Sequence, residues 1–325
     1  MLNAAIVGLG RWGKSILEAA QGRSKRICFV RGVSKEPDTV RDFVARHNLR
    51  LSTNFDDVIA DPKIDAVFLA TPHSLHVQQV VAAARAGKHV WCEKPLALRR
   101  REAELAVEAC QKAGVVLGTG FNKRCFASMR ELLRRTDAGE IGEILHVEGH
   151  YCNEHSIRVA GGWRDDPAES PGGGMTGAGL HVLDSFINLA GSAAFVDARL
   201  FTQKAPPDPR DALAILLQFR GGATGTMGTV RAGPFYWRVH AFGTKGWAAA
   251  TGEDGLIIAP MGARPQVSEF PHVDSLFVLI EAFAQAVAGE AAFPISQRQI
   301  LDTIGAFEAI IRSLDTGRPV ELSQI

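Results

Sequence analysis

The chain has no excess of charge of either sign. Lys and Arg number 36 against 35 for Asp and Glu, a formal net charge of +1. A protein that tracks a polyanion needs a basic stripe; none is present, so nucleic acid is not an expected partner. There is no basic amphipathic stretch and no uninterrupted apolar run of membrane-spanning length, so no membrane partner is expected. Cysteine is scarce: Cys28, Cys92, Cys110, Cys125 and Cys152 form an odd set without a Cys-x-x-Cys pair. That argues against a disulfide framework and fits reduced thiols in a cytoplasmic protein. The opening residues Met1–Val7 lack a charged segment and a long apolar segment, so a secretory leader is not expected. No internal repeat and no low-complexity tract breaks the sequence.

What is present is ordinary globular material. The 325 residues are 46% hydrophobic and 22% charged, enough for two domains with a large core. In the first part, strands alternate with helices. Ala4–Val7, Ile27–Val33, Ala66–Ala70, His89–Cys92 and Val115–Thr119 read as strands. Trp12–Gln21, the segment around Val40–His47 with Asp38 as its cap, Leu75–Ala86 and Ala103–Ala113 read as helices. Continuous apolar strands in such alternation predict a parallel sheet covered on both faces, with ligands at the carboxyl ends of the strands. Gly8, Thr71 to Ser74, Glu93 to Pro95 and Phe121 to Arg124 should then share one rim.

Past about Phe126 the pattern changes. A helix over Met129–Arg135, a strand over Ile144–His150, glycine-rich Gly161–Gly179 and a helix from His181 to Leu189 are followed by β-type runs. These are Val196–Thr202, Leu213–Phe219, Ala223–Val230, Arg238–Phe242 and Trp247–Ala250. Turn residues between them predict antiparallel pairing. Two helices, Leu276–Ala288 and Gln297–Leu314, end the chain. The expected division is residues 1–123 and 124–325.

Gly8-Leu9-Gly10-Arg11-Trp12-Gly13 fits G-x-G-x-x-G, between a strand and an amphipathic helix. Gly8 permits the tight turn, Gly10 lets backbone approach a pyrophosphate, and Gly13 lets the helix pack closely on the strand. The helix N-terminus then faces the anion. Gly8, Gly10, Arg11, Trp12 and Gly13 are thus candidate cofactor contacts. The acidic residue expected at the end of the second strand is replaced by Ser34, followed by Lys35. A hydroxyl and an ammonium favour a 2′-phosphate, so NADP is expected over NAD. Glu36 and Asp38 remain able to reach a ribose, and Lys35 to be a solvated loop charge.

Five motifs, in order, resemble the glucose–fructose oxidoreductase / inositol dehydrogenase (Gfo/Idh/MocA) family. They are Gly8 to Gly13, Ala70-Thr71-Pro72-His73-Ser74-Leu75-His76, Glu93-Lys94-Pro95, Trp163-Arg164, and Gly172-Gly173-Gly174 to His181. The resemblance implies an α/β Rossmann domain with a parallel sheet. It also implies an α+β C-terminal substrate and oligomerisation domain with an open, mainly antiparallel sheet, used for a homodimer or homotetramer. The implied activity is hydride transfer between a nicotinamide and the hydroxyl or carbonyl group of a sugar, polyol or related small molecule. Lys94 matches the family's proton-handling lysine and His181 its histidine. The family's aspartate, four positions before the histidine, is Gly177 here, and His73 stands where asparagine is usual.

These motifs define the candidate residues. Lys94 and His181 are the catalytic pair: an amine with lowered pKa can exchange a proton with the reacting oxygen, and its ammonium stabilises negative charge there. Thr71, Pro72, His73, His76, Glu93, Lys94, Asn122, Trp163 and Arg164 join the cofactor set, with His76 read as capping the helix it opens. Lys94, Arg124, Trp163, His181 and Asp184 form the substrate set. Bland readings stand beside these: Lys94 as a surface charge, His181 as a histidine at a helix start, Trp163-Arg164 as a packed ring beside a surface charge. His73-x-x-His76 and the group His150, Cys152 and His155 lack a recognised zinc spacing, so no metal is expected. Two other functions belong to the same resemblance: a non-catalytic NAD(P)-binding regulator and an NAD-dependent glycosidase.

Overall fold

Six mostly apolar residues, Leu2–Val7, make the first strand (β1), and Gly8 ends it with a φ of +93°. In the computed structural model, residues 1–154, 157, 162–203 and 211–324 are described. Five strands follow β1 in the first unit: Ile27–Val33 (β2), Arg50–Ser52 (β3), Ala66–Leu69 (β4), His89–Cys92 (β5) and Leu117–Thr119 (β6). They form a parallel sheet in the order β3-β2-β1-β4-β5-β6. Helices Arg11–Ala20 (α1), Pro37–Arg46 (α2), Asp56–Ile59 (α3), His73–Arg85 (α4) and Arg100–Ala113 (α5) connect them. β4 is buried along its whole length, as a strand covered on both faces must be. Strand order reverses between β1 and β4, where sheets of this kind leave a crevice at their carboxyl edge.

Two strand-to-helix transitions differ in detail from the sequence reading. Asp38 does not cap α2: Glu36 holds that position, Pro37 opens the helix, and Asp38 lies in the first turn, paired with Arg41. α4 begins two residues earlier than expected, directly after Pro72.

The chain divides into two compact units. The first comprises Met1–Ala97, Arg101–Asn122 and Asp274–Gln297. Here the division departs from the expected break at residue 123, because a late helix, Ser275–Val287, returns to the first unit. Asp274 caps that helix, accepting from Phe277 N at 3.1 Å. Its Phe283 meets Phe68 and Trp91 edge-on at 5.4 and 5.8 Å. A Cβ at Gly118 in β6 would lie 2.7 Å from the Phe283 ring, so glycine is needed there. Burying one such aromatic contributes about 2 kcal/mol. Ion pairs Arg23–Asp274 and Arg26–Glu290 sit at the exposed margin and add little.

The second unit comprises Leu98–Arg100, Lys123–Val273 and the residues from Arg298 onward. Its strands are Ile144–Cys152 (β7), Ala193–Thr202 (β8), Asp211–Phe219 (β9), Thr224–Val230 (β10), Tyr236–Gly243 (β11), Gly246–Thr251 (β12), Gly255–Pro260 (β13), Gln266–Glu269 (β14) and Val320–Glu321 (β15). Sheet order is β14-β13-β12-β11-β7-β10-β9-β8-β15, with only β7 and β10 paired in parallel. The sheet is thus mixed and mostly antiparallel, as expected. From Leu213 to Phe219, β9 alternates buried and exposed, so one face is covered and the other is not. Helices Ala127–Asp137 (α6) and Leu180–Ala190 (α7) belong to this unit. A Cβ at Gly149 in β7 would lie 2.3 Å from Val182 of α7, so that glycine sets how closely α7 approaches the sheet. The uncovered face carries Phe201, Leu216 and Tyr236, 57%, 47% and 45% exposed.

Candidate active site

In the first unit, the loops that leave β1, β4, β5 and β6 start in register. Gly8 N donates to Val33 O at 3.0 Å, Ala70 N to Val7 O at 2.8 Å, Glu93 N to Leu69 O at 2.9 Å and Gly120 N to Cys92 O at 3.2 Å. This ladder fixes the glycine turn, Thr71–His73, Glu93–Pro95 and Phe121–Asn122 on one rim.

The glycine turn is shaped by exclusion. A Cβ at Gly8 would lie 2.6 Å from the Ala70 carbonyl oxygen, and one at Gly13 would lie 1.9 Å from the Gly8 carbonyl oxygen. Gly10 has nothing within 4 Å of its Cβ position, so its backbone faces open space. α1 starts with no side-chain cap and no acidic residue in its first turn. Its first amides therefore have no intrahelical acceptor, and the positive end of its dipole is unscreened. Such a cradle fits a dinucleotide pyrophosphate. Arg11 is exposed beside it and Gly13 is buried.

At the end of β2, Ser34 Oγ accepts from Glu36 N at 3.2 Å, and Lys35 and Glu36 are exposed. No carboxylate occupies position 34. At the end of β4, Thr71 Oγ1 donates to Gln79 Oε1 at 2.6 Å and Pro72 precedes α4. His73 opens that helix, its ring 5.6 Å from that of His76.

The helix cap is Pro72 rather than the expected His76. It is fully buried inside α4, with Nδ1 2.8 Å from Pro95 O and Nε2 3.1 Å from Thr71 O. It ties the loop that carries Lys94 to the end of β4. The Lys94–Pro95 peptide is cis. Glu93 lies beneath that loop, 6% exposed; burial pushes its carboxyl above the usual range, against a smaller opposing pull from the indoles of Trp12 and Trp91 and the charge and amide of Lys94. The Trp12 nitrogen is buried without a full hydrogen bond of its own, so its effect on Glu93 is one of nearness. Asn122 Nδ2 donates to Ser275 Oγ at 2.9 Å, which ties the amide to the returning helix.

The second unit holds the remaining candidates. Arg124 and Asp184 leave the substrate set, because each is spent on the other. Arg124 Nε and Nη2 donate to the two Asp184 oxygens, both at 2.7 Å, and the side chains are 5% and 2% exposed. Arg124 Nη1 also donates to Asn188 at 2.8 Å and Gln299 at 3.1 Å. A guanidinium so saturated has no fork left for a carboxylate or phosphate. The His181 ring lies edge-on to Tyr151 at 6.1 Å, and its carbonyl accepts from Ser185 Oγ at 2.9 Å. Gly177 has nothing within 4 Å of its Cβ position, so the fold would admit a side chain where this sequence has none.

Arg164 stacks over Trp163 at 4.2 Å. Next to them, Asp165 pairs with Arg231, which also lies 4.0 Å from Asp211. Asp211 accepts from Gly174 N at 3.2 Å, anchoring the glycine-rich segment that leads to His181. Within that segment, Gly161 lies outside the described residues. Lys123 belongs to the segment Phe121 to Arg124 that the sequence places on the rim. It is 9% exposed, with its ammonium 4.3 Å from the Tyr151 ring, 4.6 Å from Phe126 and 5.5 Å from Trp237. Of the weighed metal group, burial lowers His150, Cys152 Sγ donates to Pro234 O at 3.0 Å, and His155 lies outside the described residues. Among the described residues no three His, Cys, Asp or Glu side chains are grouped to hold a metal.

Comparison with known proteins adds a second line of evidence. Residues 2–121 match the oxidoreductase family with an NAD-binding Rossmann fold, and residues 127–249 the GFO/IDH/MocA C-terminal domain. An oxidoreductase of Schizosaccharomyces pombe, C115.03, is 31% identical over 53% of this chain; the match spans 47% of that relative, about half its length. D-xylose 1-dehydrogenase (NADP(+)) 2 of Haloferax volcanii is 28% identical over 95% of this chain and 96% of its own. The solved structure of aldose–aldose oxidoreductase from Caulobacter crescentus, complexed with glycerol, has a TM-score of 0.86 at 26% identity, covering 98% of this chain and 99% of that one. With both of its parts matched in order, the chain belongs to the Gfo/Idh/MocA family of oxidoreductases.

Proposed function

We propose that this protein oxidises or reduces a CH–OH/carbonyl group of a sugar, polyol or related small molecule with NADP. The observation that carries the reading is the shared rim: an open glycine cradle and the Lys94 loop leave adjacent strand ends of one sheet. When bound, the nicotinamide supplies a two-electron hydride donor or acceptor. The cradle of Gly8, Gly10 and Gly13, with Arg11 and Trp12, would hold the pyrophosphate. Ser34 and Lys35 would take the 2′-phosphate, and the absence of a carboxylate at position 34 supports NADP over NAD. The xylose-oxidising relative carries NADP in its name, whereas the family description prints NAD.

In the oxidation direction, neutral Lys94 takes the hydroxyl proton as C–H hydride leaves. In reduction, its ammonium returns a proton to the developing alkoxide and stabilises the charge there. His181 is the second proton-handling group in this reading, and Gly177 leaves no carboxylate to relay from it. Trp163 and Arg164 are further candidates for contact with cofactor or substrate. His73 lies at the rim, on the first residue of α4. The location proposed is the cytoplasm; no described helix is long and apolar enough to cross a membrane. The uncovered sheet face, with Phe201, Leu216 and Tyr236, is proposed to bury itself against a second copy of this chain.

The test is direct. NADPH and NADH are titrated into the protein by fluorescence, and turnover is measured with D-xylose, D-glucose and myo-inositol. NADPH should bind more tightly, and at least one substrate should turn over. Tighter NADH binding would remove the cofactor assignment. Nucleotide binding with no turnover on sugars, polyols or keto compounds would remove the enzymatic one.

A further inference from the structure

Glu93 is buried at a rim where a carboxylate would ordinarily be wet, and its two hydrogen-bond contacts are with donors. Lys94 N donates to Oε2 at 3.3 Å, and Trp91 Nε1 stands 3.5 Å from Oε1. The Trp12 indole is close enough to favour the charged form. A protonated carboxyl needs an acceptor for its own hydrogen, and none of these groups is one. These donors favour a carboxylate, while burial, the larger effect, holds the group above its usual range. Sequence makes room for it: a Cβ at Gly120 would lie 2.3 Å from Oε1 and 2.7 Å from Oε2. Any other residue at position 120 would force the carboxyl out.

The three donors come from different places. Trp91 is in β5, Lys94 in the loop after it, and Trp12 in the first turn of α1, next to the glycine cradle. The titratable groups that face Glu93 are Lys94 and Cys92, whose thiol the Glu93 charge helps push up. β6 contributes Gly120, α1 contributes Trp12, and α4 reaches the loop through His76 on the Pro95 carbonyl.

We propose that ionised Glu93 is a positioning residue: it seats Lys94 at the rim, connects it through Trp12 to the turn that receives the dinucleotide, and favours the charged form of the lysine. The inference rests on the reading of Lys94 as the proton-handling group. A carboxylate beside an ammonium raises the amine's pKa; its removal must lower it.

Glu93→Gln keeps the shape and removes the charge. Lysines are reductively methylated with ¹³C-formaldehyde in the NADPH-saturated protein, and the Lys94 resonance is identified by its absence in Lys94→Arg. Its titration midpoint should move toward acid by about one pH unit in Glu93→Gln. An unmoved midpoint overturns the proposal. Should Glu93→Gln fail to fold, Gly120→Ala takes its place. It retains the carboxylate but displaces it, and it should move the midpoint the same way; an unmoved midpoint there overturns the proposal equally. Failure of the underlying reading shows separately, as full turnover in Lys94→Ala.

Discussion

Arg124 and Asp184, sixty residues apart, meet in a two-pronged ion pair with both N–O distances at 2.7 Å, sealed from solvent. Burial pushes the Asp184 carboxyl up and Arg124 pulls it down. Breaking such a pair from one side strands a buried charge. Asp184→Asn should therefore destabilise the protein by about 3–5 kcal/mol, read by urea unfolding. Replacing both partners with apolar residues of like volume should cost much less.

Lys94→Ala should lower turnover by at least about 10²-fold, the ordinary worth of a positioned acid or base. NADPH affinity should be nearly unchanged, because the cradle lies on another loop. Steady-state kinetics with parallel NADPH titration separate the two.

The two outer glycines of the cradle motif make opposite predictions to the middle one. Gly13→Ala places a methyl 1.9 Å from the Gly8 carbonyl oxygen, so α1 must move and both Tm and nucleotide binding should fall. Gly10→Ala meets open space, so Tm should hold while NADPH affinity drops by about tenfold or more, about 1.4 kcal/mol. Equal loss of Tm in both variants would contradict the geometry.

His76→Leu leaves the Pro95 and Thr71 carbonyls without their ring partner. A neutral imidazole donates to only one of the two, and a buried carbonyl so orphaned costs about 1–3 kcal/mol. Because one of them anchors the Lys94 loop, kcat should fall more than NADPH affinity. A pure stability loss with unchanged kcat would limit His76 to scaffolding.

Burial depresses His240 to about 4 from its usual 6.5, with Arg238 and His146 acting in the same direction and Glu148 opposing. The unfolded chain takes up this proton near pH 6.5 and the folded chain only near pH 4, so stability should fall as pH drops through that window. His240→Gln should flatten part of the decline in Tm. His150 and His89, lowered by burial too, should each retain a further part.

The first sheet was legible because its strands are continuous apolar runs and its rim loops carry glycine, Thr-Pro and Glu-Lys-Pro in sequence. What escaped were elements with no local signature. β3 is three residues long, and β13 is a short run hemmed by Gly255 and Pro260. Lys123 lies against Tyr151 and Trp237, which arrive on β7 and β11; only the fold assembles that ring of aromatics. Arg124 and Asp184 looked like ligand contacts because each is polar and near a motif. Their pairing is a long-range fact that spacing does not encode. The residues beneath Lys94, Gly120 and Trp12, were visible as letters, but their clearance around Glu93 is a matter of tenths of an ångström.

The return of Ser275–Val287 has a consequence for how the molecule is made. As the chain emerges during synthesis, the parallel sheet can pair its strands early, yet Phe68 and Trp91 stay uncovered until the final sixth of the polypeptide arrives. A fragment cut after Asn122 should accordingly be sticky and dependent on chaperones. Full length, not the glycine motif alone, is the condition for a soluble nucleotide-binding half.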